Sequence, residues 1–141
     1  MGSNAALPAA MAVLDAINSG DLAVLDTAVT ADFVDHGSPF PLPPGPEGYR
    51  QILGFVHHEL KIRYELEDVV ETDDRIVLRA RARGVGLAGF HGPEAAGRPY
   101  VMQTMHIYRT EGDRLAEHWG VRDELGAMRQ MGVVPPPEPP A

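Results

Sequence analysis

From Tyr100 to Met131 the chain reads YVMQTMHIYRTEGDRLAEHWGVRDELGAMRQM, a stretch that crowds ionisable residues among β-branched and aromatic ones. Val101 to Tyr108 and Arg114 to Val121 have the composition of strands, and Thr110-Glu111-Gly112-Asp113 between them is a turn, which predicts an antiparallel hairpin. Closing the turn on Glu111-Gly112 pairs Arg109 with Arg114 and sets Tyr108 beside Leu115, His106 beside Glu117 and Thr104 beside Trp119. Strand side chains alternate between faces. Met102, Thr104, His106 and Tyr108 are therefore expected to share the inner face with Leu115, Glu117, Trp119 and Val121, leaving Gln103, Arg109, Arg114 and His118 outside. Beyond the hairpin, Asp123 falls at a strand-to-helix junction ahead of Leu125, Met128 and Met131 at helical spacing.

These residue types suit proton transfer. A carboxylate such as Asp123 near the apolar face of Trp119 would be partly desolvated and so fitted to general acid–base work. A neutral His106 can donate to an enolate oxygen, and Glu117 beside it can orient the imidazole or hold it as imidazolium. Asp123 equally suits a helix N-cap, and the His106 and Glu117 pair equally suits a buried structural bridge. His36, which follows Asp35 at the mouth of a proline loop, is by position a loop residue capping a helix end. Trp119, Phe90, Phe33, Phe55 and Tyr49 read as pocket wall and core, with Tyr108 and Thr104 as further substrate contacts on the inner face. His57 and His58 read as surface, and His91 lies in a Gly-rich loop able to cover a pocket. None of the six histidines has the HExxH spacing or its relatives, so no metal site is expected.

Positioning such a site requires the preceding chain to fold around it. Met11, Leu14 and Ile17 recur at helical spacing and Ser19-Gly20 stops that helix; Asp21 caps a second, carrying Leu22, Leu25 and Val29, before a short extended piece from Phe33 to Gly37. Five prolines between Ser38 and Pro46 make a loop, and Pro46-Glu47 opens a third helix with Tyr49, Ile52, Leu53 and Val56 along one side. From Lys61 the period becomes two. Ile62, Tyr64 and Leu66 mark one strand; in the next, Ile76, Leu78, Ala80 and Ala82 alternate with a basic face of Arg75, Arg79, Arg81 and Arg83. Helices followed by antiparallel strands is the α+β pattern, in which a curved sheet wraps helices and leaves a pocket.

With 141 residues, 44% of them hydrophobic, the chain suffices for one domain, read as 1–134, followed by a proline-rich tail at 135–141 expected to be disordered. A formal charge of −8 disfavours nucleic acid and anionic membranes and leaves neutral or cationic small molecules. There are no cysteines, which removes disulfides and thiol catalysis, and no apolar run of ~20 residues. The N-terminus lacks a basic segment and apolar h-region, so a cytoplasmic location is expected.

The pieces FVDHG, GPEGYRQIL, TDDRIVLRARARG, GFHGPEAAGRPY and AEHWGVRDELGAMRQMG resemble, in that order and spacing, SnoaL-like polyketide cyclases of the nuclear transport factor 2-like superfamily over about Ala10 to Val134. The resemblance implies a cone-shaped curved antiparallel sheet over three N-terminal helices, a buried pocket, no metal or organic cofactor, and a homodimer. It also implies a hydrophobic small-molecule substrate and intramolecular aldol condensation, in which an acidic side chain removes a proton from activated carbon. By motif position Asp123 matches the family acid and His106 the histidine that polarises the substrate, and a pocket-lining role for His36 is what the resemblance implies. Two positions depart from the pattern. Val85-Gly86 stands where many relatives have Thr-His, and an alternative alignment puts the family aspartate at Gly120. The scaffold also hosts epoxide hydrolases, isomerases and noncatalytic binding domains, which remain as alternatives.

Overall fold

The computed structural model describes residues 3–141; Met1 and Gly2 lie outside the described residues. Helix α1 (Leu7–Ser19) buries Ala10, Val13, Ala16 and Ile17, and α2 (Leu25–Ala28) is a single turn. Strand β1 (Val29–Asp35) follows directly. The second helix is thus shorter than its pattern predicts, because the β-branched Val29 and Thr30 are drawn into sheet pairing, and tertiary pairing overrides a weak local preference. Helix α3 (Gly45–Gly54) runs on into a π-helical turn, Phe55–Glu59. Then come β2 (Arg63–Glu71), β3 (Arg75–Val85), a short helix α4 (Ala88–His91), β4 (Pro99–Glu111), β5 (Arg114–Arg122) and α5 (Glu124–Gln130).

The sheet order is β1-β5-β4-β3-β2, open at both edges. Four strands pair antiparallel; β1 joins the edge parallel to β5, with Asp35 opposite His118. Irregular register between Leu66 and Asp68 and between Arg109 and Thr110 bends the strands, as bulges do. The concave face takes Ile76, Leu78, Ala80 and Ala82 as the alternation predicts, and packs them on α1 and α3. On the convex face the arginines of β3 are answered by β2: Arg79 by Asp68, Arg81 by Glu67 and Arg83 by Glu65.

The β4–β5 hairpin departs from the predicted register. Its turn is Gly112-Asp113, with Glu111 opposite Arg114 and Gly112 at φ +60°, the left-handed conformation that a tight two-residue turn demands. One step further a bulge absorbs Ala116, so that Arg109 meets Glu117. Together these bring Gly120, not Glu117, opposite His106, a slip of 120 − 117 = 3 residues. An odd slip exchanges faces. His118, Gly120 and Arg122 therefore point inward, and Glu117, Trp119 and Val121 outward.

Edge strand β2 is tied to α1 by one side chain. Asn18 Nδ2 donates to Tyr64 O at 2.9 Å, and Tyr64 N donates to Asn18 Oδ1 at 2.7 Å. Replacing Asn18→Ala leaves both backbone groups of Tyr64 unpaired in a partly buried place, with an expected loss of about 1–3 kcal/mol. A lowered urea midpoint at unchanged slope checks it.

Candidate functional site

A single line of hydrogen bonds crosses the concave face. Asp35 Oδ1 meets His118 Nδ1 at 2.6 Å, His118 Nε2 meets His106 Nδ1 at 2.9 Å, and His106 Nε2 meets Thr104 Oγ1 at 3.1 Å. The Thr104 hydroxyl in turn donates to the Ala80 carbonyl at 2.8 Å. That carbonyl can only accept, which fixes the direction of the whole line. Thr104 must accept from His106 Nε2–H; His106 Nδ1 is then a lone pair, and His118 Nε2 donates to it. One more proton lies between His118 Nδ1 and Asp35 Oδ1, so the two side chains together carry no net charge. Both side chains are only 5% exposed.

Electrostatics agrees with this assignment. Burial pushes the Asp35 carboxyl up, but the hydrogen bond and charge of His118, the Gly37 N–H at 2.8 Å and Arg122 outweigh it and hold the group below its usual range. Burial, with the charges of His118 and Arg122, pushes His106 down to about 3, so its imidazole is neutral. The two rings stack, centroids 5.2 Å apart. Gly120 permits this: a Cβ there would lie 2.9 Å from His106 Nδ1 and 3.0 Å from His118 Cε1.

The line borders an inner chamber of about 30 Å³, with room for a water or the tip of a ligand. Asp35, Tyr49, Tyr64, His106, Tyr108, His118 and Arg122 are its polar lining. The Tyr49 and Tyr108 hydroxyls are 2.5 Å apart, and burial raises both well above the ordinary phenol value. Beyond Ile52, Val56 and Arg122, which line both spaces, opens an outer chamber of about 370 Å³ walled by Phe55, Phe90, Tyr100, Met102 and Met128. The π-helical turn sets Phe55 and Val56 toward it.

Of the residues predicted from sequence, His106, Tyr108 and Thr104 come together here. Glu117 does not, because the slipped register turns it to the convex face, where it accepts from Arg109 Nε at 2.8 Å and pairs with His36 Nε2 at 2.6 Å. The expected His106–Glu117 pair does not exist. Trp119 follows Glu117 outward and stacks on His36 at 5.2 Å, so neither lines a chamber. Asp123 is exposed and caps α5, accepting from Gly126 N at 2.8 Å. Phe33 is buried behind Tyr49, rings 4.5 Å apart, and Phe90 lies on the outer wall. His57, expected at the surface, is half-buried and contacts the Ile17 carbonyl.

Sequence reasoning missed Asp35, His118, Tyr64 and Arg122. Asp35 was within reach of it: Phe33 faces the core, so strand alternation also turns Asp35 inward and His36 out. His118 and Arg122 depended on the bulge, which no residue type announces. Among the described residues no cluster of three or more His, Asp or Glu is arranged to hold a metal ion, and no helix is long and apolar enough to cross a membrane.

A buried neutral imidazole has a consequence in acid. Below about pH 6.5 the unfolded chain protonates this histidine and the folded one does not, so its contribution is full above that pH and is lost as pH falls toward 3. Between about pH 7 and 5 the wild type is expected to lose roughly 2 kcal/mol through this group. Urea unfolding of His106→Gln over the same interval should show a correspondingly flatter profile.

No curated protein matches the chain. Among solved structures, TsrD from Streptomyces laurentii is 26% identical with a TM-score of 0.77, the match covering 92% of this chain and 96% of that one. IdmH from Streptomyces antibioticus is 29% identical, TM-score 0.75, over 89% and 97%. A SnoaL-like polyketide cyclase from Agrobacterium tumefaciens is 26% identical, TM-score 0.74, over 88% and 95%. The profile of the SnoaL-like polyketide cyclases matches residues 9–131, nearly the whole folded unit described above, and the chain belongs to that family.

Proposed function

We propose that the protein is a small acid–base enzyme that closes a ring in a carbonyl compound by intramolecular aldol condensation. The observation that carries this reading is the buried Asp35–His118–His106 line at the base of an apolar cavity. Asp35 commits Oδ1 to His118 and Gly37, while Oδ2 accepts no hydrogen bond among the described residues. Oδ2 removes a proton from the carbon next to a carbonyl. Tyr49 and Tyr108 are kept as phenols by burial; one hydroxyl donates to the other, and the one whose proton stays free donates to the oxygen that becomes an enolate. The enolate carbon then bonds to a second carbonyl carbon of the same molecule, and the new alkoxide takes its proton back from Asp35. Nothing enters or leaves, so the product is an isomer of the substrate. A carboxylate held below its usual range is a weak base, which restricts the reaction to carbon acidified by more than one neighbour.

His106 and Thr104 face inward as expected, but in this reading they fix the line instead of donating to the enolate and contacting substrate. Asp123, which caps α5 at the surface, gives way to Asp35 as the acid–base residue in this reading. Exchange of the C2 proton of ethyl 2-methylacetoacetate in D2O, followed by NMR, tests it. Wild type should accelerate exchange over buffer, and Asp35→Asn should lose roughly 10²–10⁴-fold of that acceleration. Full acceleration by folded Asp35→Asn, or none by wild type, would sink the reading.

We also propose that two copies pair through the convex β4–β5 surface. Met105, Ile107, Trp119 and Val121 stand exposed there in adjacent rows, an apolar patch where a polar face was expected. Light scattering at micromolar protein should give twice the chain mass, and Val121→Glu half of that; a monomeric wild type refutes the pairing.

A further inference from the structure

Arg122 stands where the two chambers meet and lines both. It is the last residue of β5 and, like His118 and Gly120 before it, faces the concave side. Arg50, Arg75, Arg79, Arg81, Arg83 and Arg109 each have a carboxylate partner on the surface. Arg63, Arg98, Arg114, Arg129 and Arg122 have none among the described residues, and of these Arg122 is the one that lines the two chambers. Its nearest groups are the Gly37 carbonyl, a long 3.4 Å from Nη1, and Tyr64. Asp35 shares the inner chamber, but its Oδ1 is taken up by His118 and Gly37 and it makes no ion pair with the guanidinium. Glu124 lies at the rim of the outer chamber, exposed to water and making no ion pair with the guanidinium.

What remains is a half-buried cation at an apolar neck, in no ion pair among the described residues, whose charged form the nearby Tyr64, Glu124 and Asp35 favour. Withdrawing a charge from water is costly unless a counter-charge meets it. A guanidinium presents parallel N–H donors whose natural complement is the two oxygens of a carboxylate. We infer that the neck is a carboxylate site: the ligand is an apolar, ring-bearing acid whose carboxylate pairs with Arg122 while its body lies against Phe55, Phe90, Tyr100, Met102 and Met128. That ligand is the substrate of the proposed reaction if the reading above holds, since the acid end then sits beside Asp35 and the tyrosine hydroxyls. The formal charge of −8 favours neutral or cationic ligands at long range. Salt screens that field beyond about 10 Å, whereas the contact at the neck is local and poorly screened.

Titration calorimetry with 2-naphthoate and its neutral isostere 2-naphthamide tests the site without needing turnover. Wild type should bind the acid at least roughly tenfold more tightly than the amide. Arg122→Gln should abolish that preference while still binding the amide, and Arg122→Lys should keep part of it. Asp35→Asn should retain the preference, so the carboxylate site stands or falls separately from the proton-transfer reading. Equal affinities in the wild type, binding of neither probe, or a preference that survives Arg122→Gln would overturn the inference. A purely structural role for Arg122 predicts a lower melting temperature in Arg122→Gln and no difference between acid and amide in any form. If the Gln variant fails to fold, loss of the preference in folded Arg122→Ala or its retention in Arg122→Lys decides the same question.

Discussion

The hydrogen bond between Asp35 and His118 is the constraint to which the rest of the inner chamber answers. A carboxylate and an imidazole that are both 5% exposed must be paired, and removing one partner of such a buried pair typically costs about 3–5 kcal/mol. Meeting that demand requires residues 83 positions apart in the chain to become neighbours. Parallel pairing of β1 with β5 does this, helped by the His36 N–H on the His118 carbonyl at 2.8 Å. His118 then needs an acceptor for its other nitrogen, His106 supplies one, and the Ala80 carbonyl ends the line. Each member is satisfied only because the next one is.

That polar line occupies one end of an otherwise apolar cavity, and the division has chemical use. Tyr49 and Tyr108 stay protonated because burial disfavours the phenolate, so they are donors over the whole working range of pH. His106 stays neutral for the same reason and neither consumes nor releases protons near neutrality. The groups left to respond to a ligand are the free oxygen of Asp35 and the guanidinium of Arg122. One belongs to a carboxyl already hydrogen-bonded to its own imidazole, the other to a cation in no ion pair among the described residues. Water-filled surroundings would level these differences; the walls of Ile52, Val56 and Leu53 preserve them.

The order of elements, the third helix with Tyr49 and Ile52 inward, and the alternation of β3 were legible in the sequence because each follows a hydrophobic period that burial enforces. His106, Thr104 and Tyr108 were legible for the same reason. The other wall of the site was not. Its residues lie on β5, where Leu115 and Ala116 are both buried and the two-residue period breaks. Reading through that break without the bulge places Glu117 and Trp119 inside. Asp35 was nearer to hand: Phe33 to Gly37 read as extended and Phe33 as apolar, so alternation turns Asp35 inward, but only the pairing of β1 with β5 brings it to His118.

The bulge at Ala116 therefore decides which chemistry this chain can perform. On one side of β5 lie His118, Gly120 and Arg122; on the other lie Glu117, Trp119 and Val121. A regular hairpin with the same turn would exchange the two sets, enclosing a glutamate and an indole and exposing the histidine and arginine. The glutamate would then lack Arg109 and His36, which now satisfy it on the convex face. Asp35 would face the chamber with no imidazole to meet it. That register buries both carboxylates without partners, whereas the bulged one buries Asp35 with its imidazole and leaves Glu117 half-buried between Arg109 and His36. Electrostatic satisfaction, more than any preference of the residues in Leu115-Ala116-Glu117 for irregular backbone, selects the register that builds the site.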